Sequence, residues 1–111
     1  FYRADLFEKA GIDINSIVTW DDFIEAGKKL QAALPNTKMI GFPYTVGFSS
    51  LIRATMLQLG TDYFSKDGKI AIASEAGIEG AKLIQRFVNE GIAFDTTDWT
   101  GTIRASKTDD I

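Results

Sequence analysis

The side chains of this chain with capacity for chemistry are carboxylates, hydroxyls and aromatic rings. Asp21-Asp22 and Asp109-Asp110 are adjacent acid pairs. To act as general acid and base, two carboxylates need a cleft and environments that push their proton affinities apart. Asp21-Asp22 falls in the first turn of a predicted helix, where the helix dipole favours acids. Asp109-Asp110 belongs to a polar run. Both pairs read as solvated groups, and no catalytic residue is assigned. Histidine and cysteine are absent, so Ser-His and Cys-His catalysis, thiolate chemistry and disulfides are excluded within the chain. Ser65 to Lys69 has the acid and glycine of a calcium loop but lacks its alternating oxygen ligands and terminal Glu, so a hairpin turn is expected there. Gly41, Gly47, Gly60 and Gly68 are isolated and form no phosphate-cradling motif. No metal or cofactor is expected.

The aromatic residues say more. Tyr44, Phe48 and Trp99 fall in or beside predicted loops instead of at the core spacing of a helix. An aromatic face can carry the C–H face of a sugar ring while hydroxyls find hydrogen bonds at its edge. Ser49, Ser50, Asp98 and Thr100 stand close by in sequence and can supply such bonds. The competing role of these rings is to close the core, which the residues alone favour.

These side chains must be positioned by a mainly helical set of elements. A short first helix is expected around Leu6-Phe7, capped by Asp5 and closed at Gly11, and Phe1-Tyr2 can end a strand. In the second, Thr19 and Asp22 have capping-box spacing. Trp20, Phe23, Ile24, Gly27, Leu30 and Leu34 then share a face, and Pro35-Asn36 ends it. Met39 to Phe42 reads as a short strand. Leu51 to Leu59 is nearly continuously apolar, which predicts a helix buried on most sides, capped by Ser49 or Ser50 and ended by Gly60. Asp67-Gly68 makes a turn between Tyr63-Phe64 and Ile70-Ile72. After Ser74 a fourth helix places Gly77, Ala81, Ile84, Phe87 and Val88 inward and Glu79, Lys82, Arg86 and Glu90 outward. Gly80 implies close packing against a neighbouring helix, and Gly91 stops this one. Thr97-Asp98-Trp99-Thr100 opens a last helix running into Ile103-Arg104-Ala105.

The composition fits one globular domain over residues 1–111, with 45% hydrophobic and 24% charged residues. A net charge of −3 with scattered Lys and Arg offers no footprint for nucleic acid or an anionic membrane surface. The chain opens on Phe1 without an initiator Met, and closes on Ile111 within a polar run. The expectation is a fragment or excised domain, with any export signal upstream.

The order of motifs carries a resemblance. Phe1 to Ile12 is similar to the aromatic-rich YYNKDLFEKAGL stretch of the family 1 extracellular solute-binding proteins of ABC importers, which include the maltose-binding type. Thr19-Trp20-Asp21-Asp22-Phe23 resembles their TWDEF helix start. Gly41-Phe42, Leu57 to Gly60, the Tyr63 to Lys69 turn, and Ser74 to Gly91 follow in the family's order, so that nearly the whole chain is covered. Departures are Arg3-Ala4 in place of Asn-Lys and the absence of prolines between Asp13 and Val18. The resemblance implies an α+β, mostly helical chain forming part of the C-terminal lobe of a two-lobed, periplasmic-binding-protein-like fold. It implies a non-catalytic protein that captures a sugar or oligosaccharide and presents it to an ABC permease. It also implies an extracellular or periplasmic location with a lipoprotein anchor. It places Phe48-Ser49-Ser50 and Asp98-Trp99-Thr100 at helix starts facing the cleft, with Trp99 as the sugar-contacting aromatic. Two other readings stay open on the residues: a small helical protein-interaction domain, and a fragment of a carbohydrate-active enzyme, which would need two carboxylates about 5–10 Å apart across a cleft.

Overall fold

The computed structural model describes residues 2–45 and 48–111, the Phe48 side chain excepted. Among these residues five helices, α1 (Ala4–Lys9), α2 (Trp20–Ala33), α3 (Phe48–Gln58), α4 (Glu75–Asn89) and α5 (Trp99–Lys107), account for about half. Two strands, β1 (Ile40–Phe42) and β2 (Ala93–Asp95), and a 3-10 turn at Ile14–Ser16 complete the regular elements. The helix-rich composition expected from the sequence is observed.

The local chemistry of the helix ends is visible element by element. Asp5 is not the cap of α1: Arg3 occupies that position, and Asp5 lies in the first turn. There the Arg3 guanidinium grips it with two bonds of 2.8 Å, from Nε and Nη2. Gly11 closes α1 at φ 64°, with the Ile12 N–H donating to the Phe7 carbonyl at 2.9 Å. The α2 capping box is complete. Thr19 Oγ1 accepts from the Asp22 N–H at 3.1 Å, and Asp22 Oδ2 accepts from the Thr19 N–H at 2.8 Å.

β1 and β2 pair in parallel, with Ile40 opposite Ala93, Gly41 opposite Phe94 and Phe42 opposite Asp95. Parallel neighbours need a crossover, and here it is helical, through α3 and α4. The core gathers on this pair: Ile24, Phe42, Leu83, Ile84, Phe87, Ile92 and Ala93 are buried together, with Trp20 and Phe23 packed against them. Gly27 of α2 sits so close to the sheet that a Cβ there would lie 2.9 Å from Ile92 Cγ2 and 3.0 Å from Met39 Cβ.

Four further expectations need correction. α3 begins at Phe48, so Ser49 and Ser50 lie in its first turn and do not cap it. Nor is this segment buried on most sides: Met56 is fully buried, but Leu57 and Leu59 are more than half exposed. α3 packs on α4, and Gly80 of α4 lets the backbones approach, its Cβ position being 3.3 Å from Ile52 Cα. In α4 the buried stripe is Gly77, Gly80, Leu83, Ile84 and Phe87, while Ala81 and Val88 face outward. The expectation agrees at Gly77, Gly80, Ile84 and Phe87, and differs in taking Ala81 and Val88 as inward and leaving out Leu83. Finally, Tyr2 belongs to no strand. The turn at Asp67-Gly68 is observed, with Gly68 at φ 80° and an antiparallel bridge between Phe64 and Ile70.

Candidate functional site

In an open parallel sheet the C-terminal strand ends feed loops that run into helix starts, and ligands settle in the crevice they leave. This chain follows that rule on a small scale. β1 leads through Pro43 and Tyr44 towards α3, and β2 leads through Thr96-Thr97-Asp98 into α5. Between the two helix starts lies an open cleft of about 340 Å³ lined by Ile40, Gly41, Phe42, Pro43, Ser50, Leu51, Trp99 and Thr102.

Trp99 is the first residue of α5 and is 72% exposed. An indole left in water at the mouth of a cleft presents unburied apolar surface next to polar backbone. Thr102 follows three residues later, on the same side of the helix. Thr100 turns away because successive helical residues diverge by about 100°. The same reasoning separates Ser50, which lines the cleft with Leu51, from Ser49, which is exposed outside it. The Ser49 carbonyl accepts the Tyr63 hydroxyl. Tyr44 packs its ring on Phe42, with centroids 5.3 Å apart, and does not line the cleft. Its phenol is raised above the usual tyrosine range by burial, and by the nearby Asp95 carboxylate. The Asp98 carboxylate is spent on structure: Oδ1 accepts the Gly101 N–H at 2.6 Å as the N-cap of α5. The Phe48 side chain lies outside the described residues.

The start of α5 is held by several independent devices. Thr96 is buried, and its hydroxyl meets that of Thr102 at 2.7 Å. A Cβ on Gly101 would fall 1.8 Å from the Thr96 carbonyl oxygen, so only glycine allows the helix to start this close to the strand. The Asp98 N–H donates back to the Thr96 carbonyl at 2.7 Å across one residue. That residue, Thr97, has φ 65°. A γ-turn with positive φ at a β-branched residue is a rare and strained conformation. Asp95, at the end of β2, accepts the Thr97 N–H at 3.0 Å and the Tyr44 N–H at 3.1 Å on the same Oδ1 atom. No local signal singles out Asp95, Thr102, Pro43 or Leu51, because only the parallel strand pairing brings them to one place.

Chemically, the described lining offers one indole, two hydroxyls, apolar side chains and backbone polar groups. Such a set binds by stacking and hydrogen bonding.

Residues 1–107 match the model of the bacterial extracellular solute-binding protein family. The chain belongs to that family. Over its full length it is 34% identical to a lactose-binding protein of Rhizobium radiobacter, covering 26% of that protein. It is also similar to arabinooligosaccharide-binding proteins. The one from Halalkalibacterium halodurans is 32% identical over 71% of this chain and 17% of its own length. The one from Bacillus subtilis is 27% identical over 81% of this chain and 20% of its own length. The chain thus spans about a quarter or less of these relatives. No solved structure gives a significant match.

Proposed function

We propose that this chain is part of the C-terminal lobe of a two-lobed, non-catalytic solute-binding protein that captures a sugar or oligosaccharide for an ABC importer. The observation that carries the reading is the largely exposed Trp99 at the mouth of the Ser50–Thr102 cleft. Its indole is the platform for a sugar ring, with Ser50 across the cleft beside the ring's edge. Asp98, Thr100, Ser49, Phe48 and Tyr44 flank this cleft in sequence. The family membership and the sugar-binding relatives support the solute class. An open cleft on one lobe leaves the opposite face of the solute to a second lobe. Closure of the two would create the form that a permease recognises. The protein works outside the cytoplasm, held at the envelope by a lipid anchor.

The test is a thermal-shift series on the full-length protein with lactose, arabinotriose and a panel of other sugars, wild type beside Trp99→Ala. Stabilisation by one sugar, lost in the variant while the unliganded melting temperature stays put, is expected. Stabilisation that survives in Trp99→Ala removes Trp99 from the site. Silence across all sugars moves the solute to another class.

A further inference from the structure

We infer that Asp95 is a positioning residue for this site, a latch that sets the distance between the two walls of the Trp99 cleft. The inference rests on the reading of that cleft as the solute site. One wall begins with the loop after β1, the other with the loop after β2, and β1 and β2 themselves pair over only three residues each. Just beyond the strands a 3.4 Å bond runs from the Thr96 N–H to the Phe42 carbonyl. The next tie is Asp95 Oδ1, which accepts Tyr44 N–H from one loop and Thr97 N–H from the other. A carboxylate is suited to this, since one oxygen accepts two backbone donors without supplying any donor of its own.

The second observation is strain. Thr97 stands at φ 65° two residues before Trp99. Such a conformation persists only where its surroundings over-determine it. Its N–H is fixed by Asp95, while the peptide groups on either side close the γ-turn. Releasing Asp95 therefore frees the turn to relax, and Trp99 moves with it. A stacking platform works only when held within roughly 0.5 Å of its productive place. Asp95 does not line the cleft, so its action on the solute passes through Trp99 and the Tyr44 loop.

The experiment uses the full-length protein labelled with 5-fluorotryptophan, with the Trp99 fluorine resonance assigned by Trp99→Phe and the Trp20 resonance as an internal control. Asp95→Ala is expected to shift or broaden the Trp99 resonance and leave Trp20 in place. It is also expected to weaken binding of the responding sugar about tenfold. Asp95→Asn, which keeps an acceptor oxygen at the same point, should hold both readouts near wild type. An unmoved Trp99 resonance in Asp95→Ala overturns the latch. So does an equal disturbance at Trp20, which marks a general loss of packing, or an Asn variant as impaired as the Ala variant. The resonance is read without solute, so failure of the sugar reading leaves this test standing on its own.

Discussion

Single residues divide here into those that a helix start presents and those that it uses up. Of the residues singled out from sequence around the last helix, Trp99 lines the cleft, Asp98 caps the helix, and Thr100 points elsewhere. Sequence could locate the helix start because Asp before an apolar turn is a local signal. It could not rank neighbours that differ by one residue, because their direction depends on the register of the helix against the sheet. The Arg3 cluster shows a second residue-scale effect. The Arg3 guanidinium holds the Asp5 carboxyl down at about 2, below its ordinary 3.8, and also pairs with Asp109 at 2.7 Å. A carboxyl with a depressed folded value stabilises the fold above its unfolded value and loses that contribution as pH falls through the folded one. Asp5→Asn should therefore lower stability slightly at neutral pH, as suits an exposed pair. The gap to wild type should close between about pH 4 and pH 2. Urea titrations across that range measure it, and a gap undiminished at pH 2 would show that the loss is not electrostatic.

At the scale of elements, the two longest helices start in opposite ways. Thr19 makes a reciprocal capping box, whereas the Ser74 hydroxyl at the start of α4 is buried and makes no hydrogen bond to protein. Thr19→Ala should cost about 1 kcal/mol, and Ser74→Ala no more than about 0.5 kcal/mol, although sequence alone ranks the two serine-threonine caps alike. Glycines sort in a similar way. A Cβ on Gly77 would lie 1.8 Å from the Ile72 carbonyl oxygen, so Gly77→Ala must displace backbone. We expect it to cost about 3 kcal/mol, against about 1 kcal/mol for Gly68→Ala, whose side is open but whose φ is 80°. Thr97→Gly should run the other way. It relieves a left-handed β-branched residue, and the gain of about 0.5 kcal/mol is what remains after glycine's backbone entropy. Denaturant midpoints of the five variants check the order. The amphipathic periods made α2, α4 and the start of α5 legible. The exposed side of α3 was not, since an apolar run does not say which of its faces a neighbour covers. The parallel register of β1 and β2 was equally hidden, because three-residue strands carry almost no periodic signal.

For the whole molecule, topology converts scattered residues into a site. Two strands side by side, each followed by a helix, put Ser50 and Trp99 at one cleft although they stand 49 positions apart in sequence. The resemblance implied helix starts at Phe48 to Ser50 and at Asp98 to Thr100, while the strand pairing, the tie through Asp95 and the Thr96–Thr102 pair emerged only from the fold. The central claim is that Trp99 is the sugar platform of a larger solute-binding protein. Isothermal titration of that full-length protein with lactose and arabinotriose, comparing wild type, Trp99→Phe and Trp99→Ala, tests it most directly. One sugar is expected to bind, with Phe retaining affinity to within about tenfold and Ala losing between about tenfold and a hundredfold. Equal affinity in all three proteins would contradict it.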